Sequence, residues 1–513
     1  MSSSVIPRLR ALCIASALLG IVGCGVPRAT PTPEDPTPPA PLDRVEAATP
    51  GTASGANRPP ASARPGLGIL AVIPGSSGST SDPTVIAAAA AAGAQYVRIS
   101  LDWSVSEPEP RQLSFETQND FRILRIEQAG LRVFPTLYVG RGWMNGTPSG
   151  RQEGESRSFP PGDLSNLWDP AFGYSQDYAG FLHQFFSHYR GHFDYVAIEN
   201  EASSMLFWGG TPDEYVRLLK TAYTAIKSAD PDVQVIDSGF VSAIGGLCMI
   251  RDLRDSGAKS DQELLQIARE YYSSETGRFQ PDTSADLEAY LENARVQEQC
   301  ERVSFILQEM DGAVDAINFH FYEDYRALPP MVAWLATRLG RASPNPSILT
   351  NEMGQRGPDV AFAQSDAHAQ AVFKKLITGL SLGLEAMVWF SADTIGTDAP
   401  SPDKVGLFGE GGSLRPAAEA FRVVSQVLST GYQFDRAIFE GPDVYHYVLV
   451  EPGSGTQLHA LWTEAGPQLH TVSLAPECPR ATITDYSGES RTVQPQAEGI
   501  TFLLDDPVLV ACQ

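Results

Sequence analysis

Basic residues are scarce in this chain. Lys and Arg number 37 against 61 Asp and Glu, a formal net charge of −24 over 513 residues. Beyond Arg8 and Arg10 there is no basic cluster, which excludes a nucleic-acid surface, since phosphate binding requires grouped cations. Six cysteines occur, none in a Cys-x-x-Cys pair, so neither a zinc ribbon nor a dithiol redox motif is present. No phosphate-cradling glycine loop is found, and no Gly-x-Gly-x-x-Gly follows the first strand-like run, which argues against a dinucleotide-binding sheet. The apolar run Ala11 to Val22 is too short for a comfortable membrane span. What remains is ordinary globular composition, 42% hydrophobic and 19% charged, in a chain long enough for more than one domain.

The N-terminus reads as a targeting segment. Arg8 and Arg10 precede the apolar run, which ends Ile21-Val22-Gly23-Cys24. This resembles a bacterial lipobox, and the resemblance implies a signal peptide over 1–24 with lipid attached at Cys24. Residues 25–65, rich in Pro, Thr, Ala and Ser, cannot bury enough apolar surface to order themselves and form a spacer. The expected location is extracytoplasmic, either lipid-anchored to the cell membrane or secreted. Cys13 leaves with the signal, so Cys248, Cys300, Cys478 and Cys512 remain, and three pairings are open. Pairing within one structural unit gives Cys248–Cys300 and Cys478–Cys512.

From about residue 66, strand-like and helix-like segments alternate. Strands are expected at 67–73, 96–101, 131–137, 195–199, 233–238, 314–322, 347–352 and 386–391, with helices between them. Eight such units over 66–430 predict a (β/α)8 TIM barrel. The stretch 241–310 is longer than a βα connection needs and reads as a helical insertion over the mouth. After 430 the helical period stops. Short alternating strands over 431–513 predict a small C-terminal antiparallel β-sandwich.

Two runs end in the same pair. Tyr195 to Glu199 leads into Asn200-Glu201, and Pro346 to Thr350 leads into Asn351-Glu352; these are the only Asn-Glu dipeptides in the chain. A carboxylate at the carboxyl end of a barrel strand faces substrate. Two of them, one protonating a leaving oxygen and one at the anomeric carbon, are the minimum for cleaving a glycosidic bond. Around the ring, strands four and seven face each other across the mouth. Arg98 on strand two can hold Glu352 ionised. His320 and Tyr322, as His-x-Tyr on one strand, point the same way. Asn200 can bond a sugar 2-hydroxyl. Trp389 is a candidate sugar platform, and Trp103, Trp143 and Trp208 are candidates for further subsites. His183, His188 and His192, five and four apart, do not share one helix face and read as a solvated helix end rather than a metal site. No metal or cofactor is expected.

On Asn200-Glu201, Glu352 before Met353-Gly354, the segment Phe207 to Tyr215, Ala225 to Pro231 and Arg98 to Trp103, the chain resembles the retaining glycoside hydrolases of clan A, leaning to families 39 and 5. The resemblance covers about 66–430. It implies Glu201 as acid/base, Glu352 as nucleophile and a β-linked oligo- or polysaccharide as substrate. One departure is Ala202, where many members carry Pro. A reading from another class is a non-catalytic glycan-binding lipoprotein on the same scaffold. A barrel lyase or esterase would need a different base or a Ser nucleophile.

Overall fold

The computed structural model describes residues 66–70, 83–115, 118–148, 157–273, 279–339, 347–357, 360–392, 406–409, 412–441, 443–497 and 499–512. The signal segment with Cys24 and the spacer 25–65 lie outside the described residues. Among the described residues no helix is long and apolar enough to cross a membrane.

Eight strands close into a parallel barrel in chain order: β1 Gly66–Leu70, β2 Tyr96–Asp102, β3 Arg132–Tyr138, β4 Tyr195–Ile198, β5 Gln234–Ile236, β6 Ala316–Phe321, β7 Ser347–Gly354 and β8 Ala386–Phe390. Among the described residues twelve α-helices accompany them: α1 Pro83–Ala91, α2 Trp103–Ser106, α3 Gln118–Gln128, α4 Gln176–His188, α5 Pro212–Ala229, α6 Ser242–Asp255, α7 Asp261–Tyr271, α8 Ser284–Leu291, α9 Ala294–Glu309, α10 Leu328–Leu339, α11 Asp366–Ser381 and α12 Pro416–Ser429. The start of α5 is set by its first residues. Thr211 accepts the Glu214 backbone N–H, and Glu214 accepts the Thr211 N–H at 2.7 Å, a capping box with Pro at the first turn.

Strand parity divides the side chains into two cores. Inward residues Phe134, Tyr195, Ala197, Ile236, Ala316, Leu349, Ala386 and Val388 form one buried cluster inside the barrel. Outward residues such as Val97, Ile99, Val133, Val196, Phe319, Met387 and Trp389 join the layer between sheet and helices. This is the period-two consequence of a pleated strand. The inner plug is anchored by Phe134 stacked on Tyr195, with ring centroids 5.2 Å apart. Polar residues can therefore collect above it.

Between β5 and β6 the chain makes four helices instead of one. α9 packs on α5 and α6, and α6 packs on α10. The Cys248–Cys300 disulfide ties α6 to α9. Arg302 on α9 donates to the carbonyls of Ser203 and Gly210, in the loop that follows β4.

The C-terminal unit is antiparallel. Its strands are β9 Gln433–Phe439, β10 Val444–Val450, β11 Gln457–Thr463, β12 Gln468–Val472, β13 Ala481–Asp485, β14 Ser490–Val493, β15 Ile500–Leu504 and β16 Val508–Cys512. Six form one sheet in the order β14-β13-β16-β11-β10-β9, and β12 pairs with β15 in a second. Leu461, Val472, Ile483, Phe502 and Val510 fill the seam between them. Cys478–Cys512 closes a 34-residue separation; by chain entropy such a link contributes at most about 4 kcal/mol. The sheet docks on the barrel through Trp462. Its ring stacks on Tyr445 at 5.3 Å, and its Nε1 donates to Tyr325 Oη, just beyond β6.

Candidate active site

The polar layer at the carboxyl ends of the strands is built on Arg98. Its Nε donates to Thr136 Oγ1 on β3 at 2.8 Å. One terminal nitrogen donates to Glu352 Oε2 at 2.6 Å and to the Asn351 carbonyl at 3.0 Å. The other donates to Asn200 Oδ1 at 2.8 Å. A guanidinium 3% exposed thus joins β2, β3, β7 and the end of β4. Its planar fork suits several acceptors at once, which a lysine could not match.

Glu352 Oε1 accepts from Tyr322 Oη at 2.5 Å. Burial by itself pushes the Glu352 pKa up, but the nearby His320 and Arg98, with the Tyr322 and Arg98 hydrogen bonds, outweigh it and hold the carboxylate below its ordinary range. Glu352 is ionised at neutral pH.

Glu201 stands on a strained turn. Glu199 and Glu201 have φ of 65° and 45°, a left-handed region that side-chain-bearing residues seldom adopt. The turn is pinned from β5. Glu201 N donates to the Ser238 carbonyl at 2.9 Å, and Ala202 N donates to Ser238 Oγ at 3.0 Å. The second bond accounts for Ala202. Proline there would have no N–H to give. Below it, Glu199 Oε1 accepts from Val139 N at 2.7 Å and Ser158 Oγ at 2.9 Å. Burial raises the Glu199 pKa to about 8, so this third carboxyl is mostly protonated at pH 7 and acts as a structural post.

His320 links the two glutamates. Its Nδ1 lies 2.6 Å from Glu201 Oε1 and 3.7 Å from Glu352 Oε2. Asn351 Oδ1 accepts from Asn318 Nδ2 at 2.9 Å and faces His320 Nε2 at 3.0 Å. The network therefore assigns a proton to Nε2. Burial works against a charged imidazole, but Glu352 and then Glu201 outweigh it and raise the His320 pKa. Gly239 makes room: it has φ of 72°, and a Cβ there would sit 2.7 Å from His320 Nε2.

One carboxylate oxygen from each glutamate and a His320 nitrogen lie within 4.8 Å of one another. A cation could bridge that spacing, but Arg98 already occupies the Glu352 side, and a second positive charge would be repelled. The arrangement suits an acid and an anion acting on one small centre.

Arg98, Asn200, Glu201, His320, Tyr322 and Glu352 come together. The four candidate tryptophans do not. Trp389 is fully buried on the outward face of β8, within reach of His368 and Lys375 of α11. Parity gives the inward position to Phe390, whose ring lies 5.9 Å from Tyr322 and which is only partly buried. Trp103 is fully buried, stacked on Phe181 at 5.3 Å, with Nε1 donating to Glu107. Trp143 packs edge-on against it. Trp208 is fully buried and donates to the Thr211 carbonyl. All three of these pack into the barrel's supporting layer. Sequence reading also missed Phe390, Ser238 and Glu199. Of these only Phe390 had a sequence signal, its parity on β8.

The helix-end histidines have separate partners. His188 stacks on Phe115 with centroids 3.9 Å apart, and His192 Nδ1 lies 2.8 Å from Glu127. The run Gly379-Leu380-Ser381-Leu382-Gly383 spells an esterase elbow, but it lies at the C-terminal end of α11, where Ser381 Oγ donates to the Thr378 carbonyl. The strand-to-helix turn that would expose a nucleophile is missing.

The fold has known counterparts. At 15% identity and a TM-score of 0.58, the chain is similar to a family 39 glycoside hydrolase from the gut symbiont Bacteroides cellulosilyticus WH2, over 88% of this chain and 81% of that one. A monomeric beta-xylosidase from Caulobacter crescentus CB15 aligns at 13% identity and a TM-score of 0.52, over 87% and 95%. The catalytic domain of GH30 xylanase C from Talaromyces cellulolyticus aligns at 13% and 0.52, over 88% and 97%. At such identities the likeness is one of fold. No protein-family model and no curated protein sequence matches the chain.

Proposed function

We propose that the chain is a retaining glycoside hydrolase acting on a β-linked oligo- or polysaccharide. The observation that carries this reading is the pair of glutamates on β4 and β7, with oxygens within 4.8 Å of each other across one histidine. Retaining enzymes hold their carboxyl groups about 5 Å apart, whereas inverting ones leave room for a water at about 6.5–9.5 Å.

In the proposed first step a Glu352 oxygen bonds to the anomeric carbon as the bond to the leaving oxygen breaks. The proton carried by Glu201 passes to that oxygen. In the second step Glu201 takes a proton from water, the water oxygen bonds to the anomeric carbon, and the Glu352 ester bond breaks. Arg98 and Tyr322 supply the donors that keep Glu352 anionic before attack and receive it as a leaving group afterwards. His320, 2.6 Å from Glu201 and 3.7 Å from Glu352, fixes the place of the Glu201 carboxyl group beside Glu352. Asn200 Oδ1 is taken by Arg98, which leaves its amide N–H for a sugar hydroxyl. Phe390 offers an apolar ring face beside Tyr322.

With the N-terminus read as a lipoprotein signal lipidated at Cys24, this activity is placed outside the cytoplasmic membrane. The test is a panel of chromogenic aryl glycosides, β-xyloside and β-glucoside first, run with the protein and with Glu352→Ala. Hydrolysis by the protein with loss of about 10⁴-fold or more in the variant is expected. Turnover of no glycoside, with glycan binding retained, would point instead to a binding protein.

A further inference from the structure

A second set of buried titratable groups lies in the seam of the C-terminal unit and has no part in the proposed hydrolysis. Three of the chain's eight histidines, His446, His459 and His470, fall within 25 residues. They sit on β10, β11 and β12. The register pairs His446 with Leu461 and Val448 with His459, so His446 and His459 are diagonal neighbours on one face. His470 comes from the other sheet, where it pairs with Phe502. The His446 ring lies 5.1 Å from His459 and 5.9 Å from His470. Glu440, just past β9, completes the set.

Hydrogen bonding leaves the set incomplete. His446 Nδ1 is 2.7 Å from Glu440 Oε1, and its Nε2 is 2.8 Å from His459 Nδ1. His470 Nε2 lies 3.2 Å from Glu440 Oε2 but forms no hydrogen bond there, and His459 Nε2 has no hydrogen-bond partner among the described residues. The three rings are 4%, 3% and 7% exposed, beside Leu461, Val472 and Phe502. Polar nitrogens left unsatisfied in such a place are costly, because burial strips their water without supplying a partner.

We propose that Glu440, His446 Nδ1 and His470 Nε2 form a binding site for a divalent transition-metal cation of the zinc type, with His459 orienting His446. One oxygen and two ring nitrogens from these residues lie within 4.8 Å of one another. Tetrahedral zinc with bonds of about 2.05 Å needs ligands ~3.3 Å apart, so small side-chain shifts suffice. Two imidazoles and a carboxylate with a fourth position open are a zinc donor set. The protons also fit. A metal on His446 Nδ1 leaves the proton on Nε2, which donates to His459 Nδ1, the second-layer bond that fixes a ligand ring. Arg436, on β9, is exposed and paired with Asp435. A bound ion would clamp β12 of the small sheet to β10 of the large one.

The test uses the full chain dialysed against EDTA and titrated calorimetrically with Zn2+ alone, with thermal unfolding followed in parallel. Uptake of one equivalent and a raised Tm are expected. His446→Ala/His470→Ala is expected to lose that equivalent. Glu201→Gln/Glu352→Gln, which removes the barrel's own carboxylate pair, is expected to keep it. His459→Leu should weaken binding about ten- to a hundredfold. If the double alanine variant does not fold, Glu440→Gln at the partly exposed carboxylate must weaken Zn2+ binding at least ~10-fold. No uptake by the unmodified chain, uptake unchanged by Glu440→Gln or by the histidine substitutions, or loss of uptake in the barrel variant would each overturn the proposal.

Discussion

The barrel mouth and the sandwich seam both bury imidazole beside carboxylate, yet they are wired differently. At the mouth, Arg98 holds four acceptors contributed by three different elements, and Glu352 has a donor on each oxygen. His320 uses both ring nitrogens. In the seam, two of three rings carry a nitrogen with no hydrogen-bond partner among the described residues. A fixed and largely satisfied network suits a centre where charge must appear and vanish without reorganisation. An under-satisfied one suits a centre waiting for a ligand. The same residue types thus serve different ends according to who supplies the missing partner.

That contrast can be broken from the barrel side. After loss of Glu352 itself, the largest effect is expected for Glu201→Gln, which keeps size and hydrogen bonding but removes the transferable proton. Hydrolysis of substrates with poor leaving groups should fall about 10²–10⁴-fold. Aryl glycosides with acidic phenols should be spared in the first step, as pre-steady-state release of phenol will reveal. Equal losses across leaving groups would remove Glu201 from the acid role.

Arg98→Met tests whether wiring sets the charge on Glu352. Glu352 is held low against burial, so activity in the unmodified protein should persist down to pH values below the ordinary glutamate pKa of about 4.3. Without the guanidinium the folded pKa rises, and the acid limb of kcat/KM should move up by roughly 1–3 units. An unmoved limb, with only a lower kcat, would mean that Arg98 positions Glu352 without tuning it.

A smaller effect separates support from chemistry. Glu199 has a folded pKa of about 8, raised by burial. Below its ordinary pKa the carboxyl is neutral in both folded and unfolded chains, and its contribution is fully present. As pH climbs towards 8 the unfolded chain ionises first, so stability falls, and it levels off above 8. Glu199→Gln cannot ionise. Denaturant unfolding should show variant and parent alike near pH 5 and the variant ahead above pH 8, by about 4–5 kcal/mol at most. A constant offset at all pH values would mean that Glu199 is already charged in the folded chain.

Much of this was readable from the residues, and the rest was not for identifiable reasons. The barrel followed from eight apolar runs with helices between them, and the two Asn-Glu pairs marked strand ends without any coordinates. His320 and Tyr322 followed from parity on β6. The same parity rule, applied to β8, gives Phe390 to the interior and Trp389 to the helix layer; size and aromaticity favoured the wrong residue. Trp103 and Trp208 sit beside strand ends, and nothing local distinguishes a loop tryptophan facing solvent from one folded under its own helix. The Ser238 anchor of the Glu201 turn needs β4 and β5 side by side. Strands β9 and β14 are edge strands with mostly exposed side chains, so no alternation announces them. The seam histidines are 13 and 11 residues apart, and only sheet pairing brings them together.

The central claim is that Glu201 and Glu352 act in two displacements on one anomeric carbon. Proton NMR of the first product formed from a β-glycoside cleaved by the protein tests it most directly, read before mutarotation sets in. The account predicts that the β anomer appears first and the α anomer grows in later. An α anomer appearing first would mean inversion, and the nucleophile assigned to β7 would be wrong.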